Sequence, residues 1–425
     1  MKYYISILFS EIRKFFYNDH IKNSFFLIVV SILSAGVGFL FWMIASRFYT
    51  PTDIGIASAL ISVTGFISIL SIMGFDIVLI KKIPQNEHIN DLINTTFSIS
   101  ALVALCWIII YLIGIRFFTP SLYIITNNFF LLSFFILFTL ISPLVELQLS
   151  AVFVGLKKAE YSFYETCVTI FRLGILPFLI VFGVIGIYFS YGITIILAFS
   201  LGYYLLLSKN AIQINFGINL DVIRNISAPS FGNYIARIFE LMPNFLLPIL
   251  IINMLGAEAN AYFFIAWQLS MLIVAIPKWI SMSLIAESSG SKQKFINRSQ
   301  NSIRIILIYL ILILIMILLF GDAILNIFGS QYSENSYAIL VLLSLGCIPY
   351  SIIYFFAAHQ RINQKYIPII IAYLTVNLVI LASSYLLIKN YGLIGIGCSW
   401  IIGNGLVAFI ILLFKDERKN FTIGM

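Results

Sequence analysis

Seven charged side chains stand within or at the edges of long apolar runs, and their types and spacing could do chemistry. The cations are Arg237, Arg172, Lys278 and Arg47; the carboxylates are Glu240, Glu146 and Asp76. A guanidinium offers a planar fork of N–H donors that matches phosphate oxygens. The four cations are therefore candidates for holding a diphosphate or similar anion. The carboxylates are candidates for pairing with them, or for carrying a coupling proton or Na⁺. Arg237 and Glu240 lie three residues apart and would share a helical face, so a mutual ion pair is the competing reading. Lys278, just after Pro277, could instead snorkel to an interface. Arg47 and Asp76 could be interfacial, Asp76 close to Lys81. Arg172 is too deep in its run to snorkel easily and calls for a cavity or a partner; Asn377 stands near its place in the second half. Pro229, Pro243 and Pro248 interrupt the run around Arg237, and proline frees backbone carbonyls where a helix lines protein or water.

Other chemistries find no residues. Cys106, Cys167, Cys347 and Cys398 each lie alone in apolar surroundings, with no CxxC pair, so neither a metal site nor a disulfide framework is expected. No Asp-x-Asp occurs, and no connection is long enough to fold into a catalytic domain. The expectation is a protein that is not an enzyme and needs no cofactor. Tyr234 and Trp267 are aromatic residues that could stack on a sugar.

The elements that must position these residues follow from composition. Of 425 residues, 61% are hydrophobic and 10% charged, and the mean hydropathy is +1.04. Soluble domains carry about 25% charged residues; lipid is the solvent that suits this chain. About twenty apolar residues cross the hydrocarbon as a helix, with every backbone group paired internally. The apolar runs predict twelve spans, near 24–46, 54–79, 94–116, 127–153, 162–183, 186–207, 228–253, 259–286, 302–320, 336–357, 366–388 and 393–414. The segment 1–22, with apolar residues at helical spacing, reads as a cytoplasmic interfacial helix. Placing the N-terminus in the cytoplasm puts nineteen lysines and arginines in the inner segments and three (Arg47, Arg116, Lys389) in the outer ones. Both termini are expected to be cytoplasmic, in a multi-pass protein of the cytoplasmic membrane. This placement accounts for the net charge of +8 without a nucleic-acid partner.

The halves repeat. Gly183-Val-Ile-Gly-Ile187 matches Gly392-Leu-Ile-Gly-Ile396; the residues 157–161 match 362–366, and 49–54 match 255–260, at offsets of 209, 205 and 206. Six spans per repeat make the repeats parallel, with a substrate site expected between halves that rock. The domains expected are a six-helix bundle over 23–210, a linker over 211–227, a second bundle over 228–414 and a tail over 415–425.

The stretch Arg47-Phe-Tyr-Thr-Pro-Thr-Asp-Ile-Gly-Ile-Ala-Ser-Ala-Leu-Ile61 resembles the first-loop signature of the Wzx-type polysaccharide biosynthesis (O-antigen) flippases. These belong to the multidrug/oligosaccharidyl-lipid/polysaccharide exporter superfamily. Gly155-Leu-Lys-Lys-Ala-Glu-Tyr161 and Gly392-Leu-Ile-Gly-Ile396 are similar to it as well. The resemblance implies an all-α, MATE-like fold of two pseudo-symmetric six-helix bundles around a cavity. It implies translocation of a polyprenyl-diphosphate-linked oligosaccharide by alternating access, with membrane lipid around the protein. Contact with a polysaccharide polymerase or glycosyltransferases is a further implication. Two other readings stay open: a small-molecule or drug antiporter of the same fold, and a membrane glycosyltransferase or polymerase.

Overall fold

The structure, a computed structural model, describes residues 19–85, 88–210, 212–224, 228–287 and 292–413. The interfacial helix expected at 1–22 lies almost wholly outside these residues, as do the tail and part of the 211–227 linker.

Eleven helices among the described residues are long and apolar enough to cross a membrane. They are α1 (Phe25–Phe48), α2 (Pro51–Ile72), α3 (Ile89–Phe118), α4 (Phe129–Gly155), α5 (Ala159–Phe182), α6 (Val184–Asn210), α7 (Phe231–Met254), α8 (Ala257–Ser281), α9 (Ser302–Asn326), α10 (Ser330–Ile362) and α11 (Tyr366–Leu413). At 1.5 Å per residue, the 48 residues of α11 would run about 70 Å if straight, over twice the hydrocarbon thickness. They do not run straight. Gly392 has φ 55° and ψ −134°, outside the helical region. A Cβ on Gly395 would lie 2.7 Å from the carbonyl carbon of Leu387. Residues eight apart on a continuous helix are about 12 Å apart, so the chain folds back at Gly392 and α11 supplies two crossings. The twelve expected spans are therefore present, the last two joined through one kinked element.

The repeat is written in the backbone. Gly183 (φ 51°, ψ −126°) and Gly392 adopt nearly the same non-helical conformation. Lys157 (φ 58°) and Gln364 (φ 55°) are both left-handed in the loops before α5 and α11. These two positions are 207 residues apart, close to the offset of 205 between Tyr161 and Tyr366.

By their contacts the residues fall into two compact units. The N-terminal unit holds the chain up to Phe41, Thr64–Phe118 and Tyr123–Phe231; the C-terminal unit holds Trp42–Val63, Thr119–Leu122 and the chain from Gly232. In the N-terminal unit, Thr64 Oγ1 bonds the Tyr188 hydroxyl at 2.8 Å and Thr139 Oγ1 at 3.2 Å, pairing buried hydroxyls that hydrocarbon would leave unsatisfied. Asn94, Ser98 and Thr95 of α3 accept from the backbone N–H groups of Asn215, Gly217 and Asn219, which fastens the connection after α6 onto α3.

In the C-terminal unit, the first-loop signature has a physical explanation. Thr50 caps α2: its Oγ1 accepts from Asp53 N–H (3.2 Å) and donates to Asp53 Oδ2 (2.7 Å), with Pro51 in the first helical position. Burial, and secondarily the Asp53 carboxylate, push the neighbouring Tyr49 hydroxyl up to about 12. A Cβ on Gly55 would sit 1.7 Å from the Ala257 carbonyl oxygen. The Asn260 side-chain amide donates to Gly55 O (2.7 Å) and Ser58 Oγ (3.1 Å). Helices in lipid gain no hydrophobic energy by associating, so close approach at small residues and hydrogen bonds hold them together. Gly55→Ala is expected to destabilise the protein by about 1–3 kcal/mol through overpacking against backbone, read as a lower thermal midpoint in detergent. An unchanged midpoint would contradict the close approach.

Trp267, a sugar-stacking candidate by sequence, is 3% exposed. It packs edge-on to Trp400 with ring centroids 4.8 Å apart and donates to Asn244 Oδ1 at 3.0 Å. It is a core residue. On α9, Ile305, Ile308, Leu312, Ile315 and Leu319 form an exposed stripe at helical spacing. Such a stripe faces lipid in a membrane protein.

Candidate functional site

Of the charged residues singled out by sequence, Arg172 and Glu146 lie near each other in the N-terminal unit, Glu240 and Lys278 lie near each other in the C-terminal unit, and Asp76 and Arg47 stand apart from them. In the N-terminal unit, Arg172 lies on α5 where the helix loosens. Phe171–Ile175 is α-helical and Leu176–Phe182 continues as 3₁₀ helix with Pro177 near its start. The Arg172 guanidinium carbon stands 5.2 Å from the Phe41 ring centroid and 5.4 Å from that of Tyr191. Its Nε is buried without a hydrogen-bond acceptor. Aromatic faces attract a cation without using its N–H donors, so the Nε–H, unpartnered among the described residues, stays available to an oxyanion. Glu146, half-buried on α4 three residues after Pro143, and Arg172 both act electrostatically on the Tyr191 hydroxyl. Asp76 is buried in the first turn of the helix Phe75–Lys82, beyond the break at Met73 and Gly74. A helix N-terminus favours a carboxylate there.

In the C-terminal unit, Glu240 of α7 is 5% exposed. Its salt-bridge partner is Arg361 of α10, whose Nη2 donates to Glu240 Oε2 at 2.6 Å. The Tyr354 hydroxyl donates to Glu240 Oε1 at 2.9 Å, and Arg361 Nε donates to Asn233 Oδ1 at 3.3 Å. Lys278 stands 5.9 Å from the Tyr354 ring centroid, and its charge reaches Glu240. Arg237 is half-buried on α7 one turn before Glu240. One carboxylate thus lies among several cations, and the cluster keeps an excess of positive charge. Pro243 has no N–H for the Phe239 carbonyl four residues earlier; Asn377 Nδ2 of α11 donates to it at 2.8 Å instead.

Arg47 belongs to this unit but stands elsewhere in it. Its Nε and Nη2 donate to the carbonyls of Ile327 and Asn326, both at 2.7 Å, and satisfy the open C-terminal end of α9. The structure gives Arg47 a capping role.

Arg361 is the residue that sequence reasoning missed. The apolar run ends near 357 and leaves Arg361 outside the expected span, but α10 continues to Ile362. A signal was available: Tyr350, Tyr354 and Arg361 are four and eleven residues apart, which places all three on one helical face.

The sequence pattern of the family described as polysaccharide biosynthesis protein matches residues 20–285. Among solved structures, the lipid II flippase MurJ in an inward closed conformation matches with a TM-score of 0.73 and 15% identity, over 93% of this chain and 88% of that one. An inward-facing multidrug resistance MATE family transporter of the MOP superfamily matches with a TM-score of 0.65 and 15% identity, over 93% and 94%. A MATE protein in a bent conformation gives 0.59 and 14%, over 96% and 97%. No curated protein matches by sequence. Identities this low speak for the fold alone. The fold is one seen in membrane transporters, and it is the one the first-loop resemblance implies. With most of the chain inside the family's sequence pattern, the protein belongs to the polysaccharide biosynthesis protein family and carries the transporter fold of the multidrug/oligosaccharidyl-lipid/polysaccharide exporter superfamily.

Proposed function

We propose that the protein is a flippase that moves a polyprenyl-diphosphate-linked oligosaccharide across the cytoplasmic membrane by alternating access. The observation that carries this reading is Arg172, held on two aromatic faces with a buried N–H donor that no acceptor uses. A buried donor left unpaired is costly, and a phosphate oxygen is the acceptor that a guanidinium fork fits best. Membership of a polysaccharide biosynthesis family supports a glycan as the cargo. The cationic surplus around Arg237, Lys278 and Arg361 supports an anionic head group. The positive-inside asymmetry supports cytoplasmic termini.

The direct test is reconstitution of the full chain into vesicles carrying a fluorescent polyprenyl-diphosphate sugar. Protein-dependent access of a membrane-impermeant quencher to the outward-moved label is the expected result. Movement of cationic dyes with no reorientation of the lipid would replace this reading by the antiporter that shares the fold.

A further inference from the structure

Glu165 of α5 is fully buried, and neither of its carboxyl oxygens has a hydrogen-bond partner. Gln148 of α4 is equally buried, and its amide oxygen and nitrogen are unpartnered too. The two side chains meet against Gly202 of α6. A Cβ there would lie 1.6 Å from Glu165 Oε1 and 2.3 Å from Gln148 Nε2, so only glycine leaves them room. Gln148 opens a π turn, Gln148–Val152, within α4. Such turns recur at functional sites because they re-aim a side chain within a helix. Ser162 Oγ donates to Leu149 O at 2.9 Å and ties α5 to this turn.

Among the described residues the neighbouring elements bring no compensating charge to this carboxyl: the helix Phe75–Lys82, packed on the π turn, carries Asp76, Lys81 and Lys82, and α5 carries Tyr161 and Tyr164, none of which acts on it. Lys22, just before α1, pairs with Glu160, five residues before Glu165. The π turn and the rest of α4 to Gly155 carry no titratable side chain, and α6 presents Gly202, with Tyr203, Tyr204 and Lys209 further along. Among the described residues no charge and no hydrogen bond acts on the Glu165 carboxyl. No set of three His, Cys, Asp or Glu residues could hold a metal ion there. A carboxylate in such a place neutralises by taking a proton. As an acid its O–H can donate to the Gln148 amide oxygen while the Gln148 NH₂ donates back to its carbonyl, which satisfies both groups at once.

We propose that Glu165, paired with Gln148 against Gly202, is a proton-binding site of the N-terminal unit, binding and releasing one proton as the packing of α5 on α6 closes and opens. Glu165 lies six residues into α5, about 9 Å from its start. The proposal does not depend on the cargo assigned above.

Infrared difference spectroscopy of the full chain in detergent, acid against alkaline buffer, tests it without any cargo. The native protein should show a protonated-carboxyl C=O band that is lost on alkalisation. That band should be absent from Glu165→Gln, which keeps the shape and can still pair with Gln148. In Gln148→Leu it should shift to higher frequency, because the acid has lost its partner; this variant reads the native carboxyl should Glu165→Gln fail to fold. A band that neither substitution alters overturns the proposal. So does a Glu165 band that persists through every alkaline buffer in which the chain stays folded, since the group is then a fixed structural acid. Loss of the band on adding NaCl at constant pH would make it a sodium site and overturn the proton assignment.

Discussion

On the proposed function, Arg172→Ala is expected to abolish surface-glycan display while the amount of protein in the membrane stays that of the parent. The side chain is held by the Phe41 and Tyr191 rings, contacts worth about 0.5–2 kcal/mol each, so its removal leaves a membrane helix that still folds. The expected loss of transport follows from hydrogen bonds to a charged group, which contribute about 1.5–3 kcal/mol each. A guanidinium fork makes two such bonds to phosphate, and their loss slows translocation about a hundredfold or more. Arg172→Lys retains the charge without the fork and should recover only part of the activity. Arg237→Ala is expected to abolish display in the same way. Glycan display scored by surface labelling, beside immunoblots of the membrane fraction, checks both. Full display in both alanine variants would end the cationic-site argument.

Arg361→Ala is expected to cost about 3–5 kcal/mol of stability. It leaves Glu240 as a buried carboxylate whose salt-bridge partner is gone. Tyr354 still donates one hydrogen bond, and the nearby charge of Lys278 places the cost toward the lower end of that range. Adding Glu240→Gln removes the stranded charge, so the double variant should be more stable than Arg361→Ala alone. Thermal unfolding of the parent, both single variants and the double variant in detergent gives the coupling energy directly. Additive losses would mean that the ion pair is not the contact that joins α7 to α10 here.

Much of this architecture was legible in the residues themselves. Hydropathy depends on neighbours within twenty residues, so the crossings could be placed before any helix was seen to pack. The lipid-facing stripe of α9 is a local periodicity. The matched glycines at 183 and 392 specify the same backbone turn because only glycine adopts that conformation without strain. The signature at 49–58 could be recognised as a pattern, but its reason lay elsewhere in the chain: the Thr50 cap is local, whereas Gly55 is required by Ala257 and Ser58 by Asn260.

The partners of the charges were not legible. Spacing on one helix allowed Arg237 as a partner of Glu240, but it gave no sign of the salt bridge to Arg361, 121 residues away. Arg47 could be read from sequence as interfacial or as an anion ligand; that it donates to the carbonyls of Asn326 and Ile327 was not legible there. Glu165 drew no notice in the sequence, being close to the edge of its span, and only its contact with Gln148 and Gly202 makes it a site. The sequence by itself determined that this chain crosses the membrane, where it crosses, and that its two halves repeat, because those properties follow from local composition and backbone preference. Only the tertiary structure decided which cation meets which carboxylate. In lipid, apolar surface does not choose between helices; close contacts at small residues and the need to pair every buried polar group do.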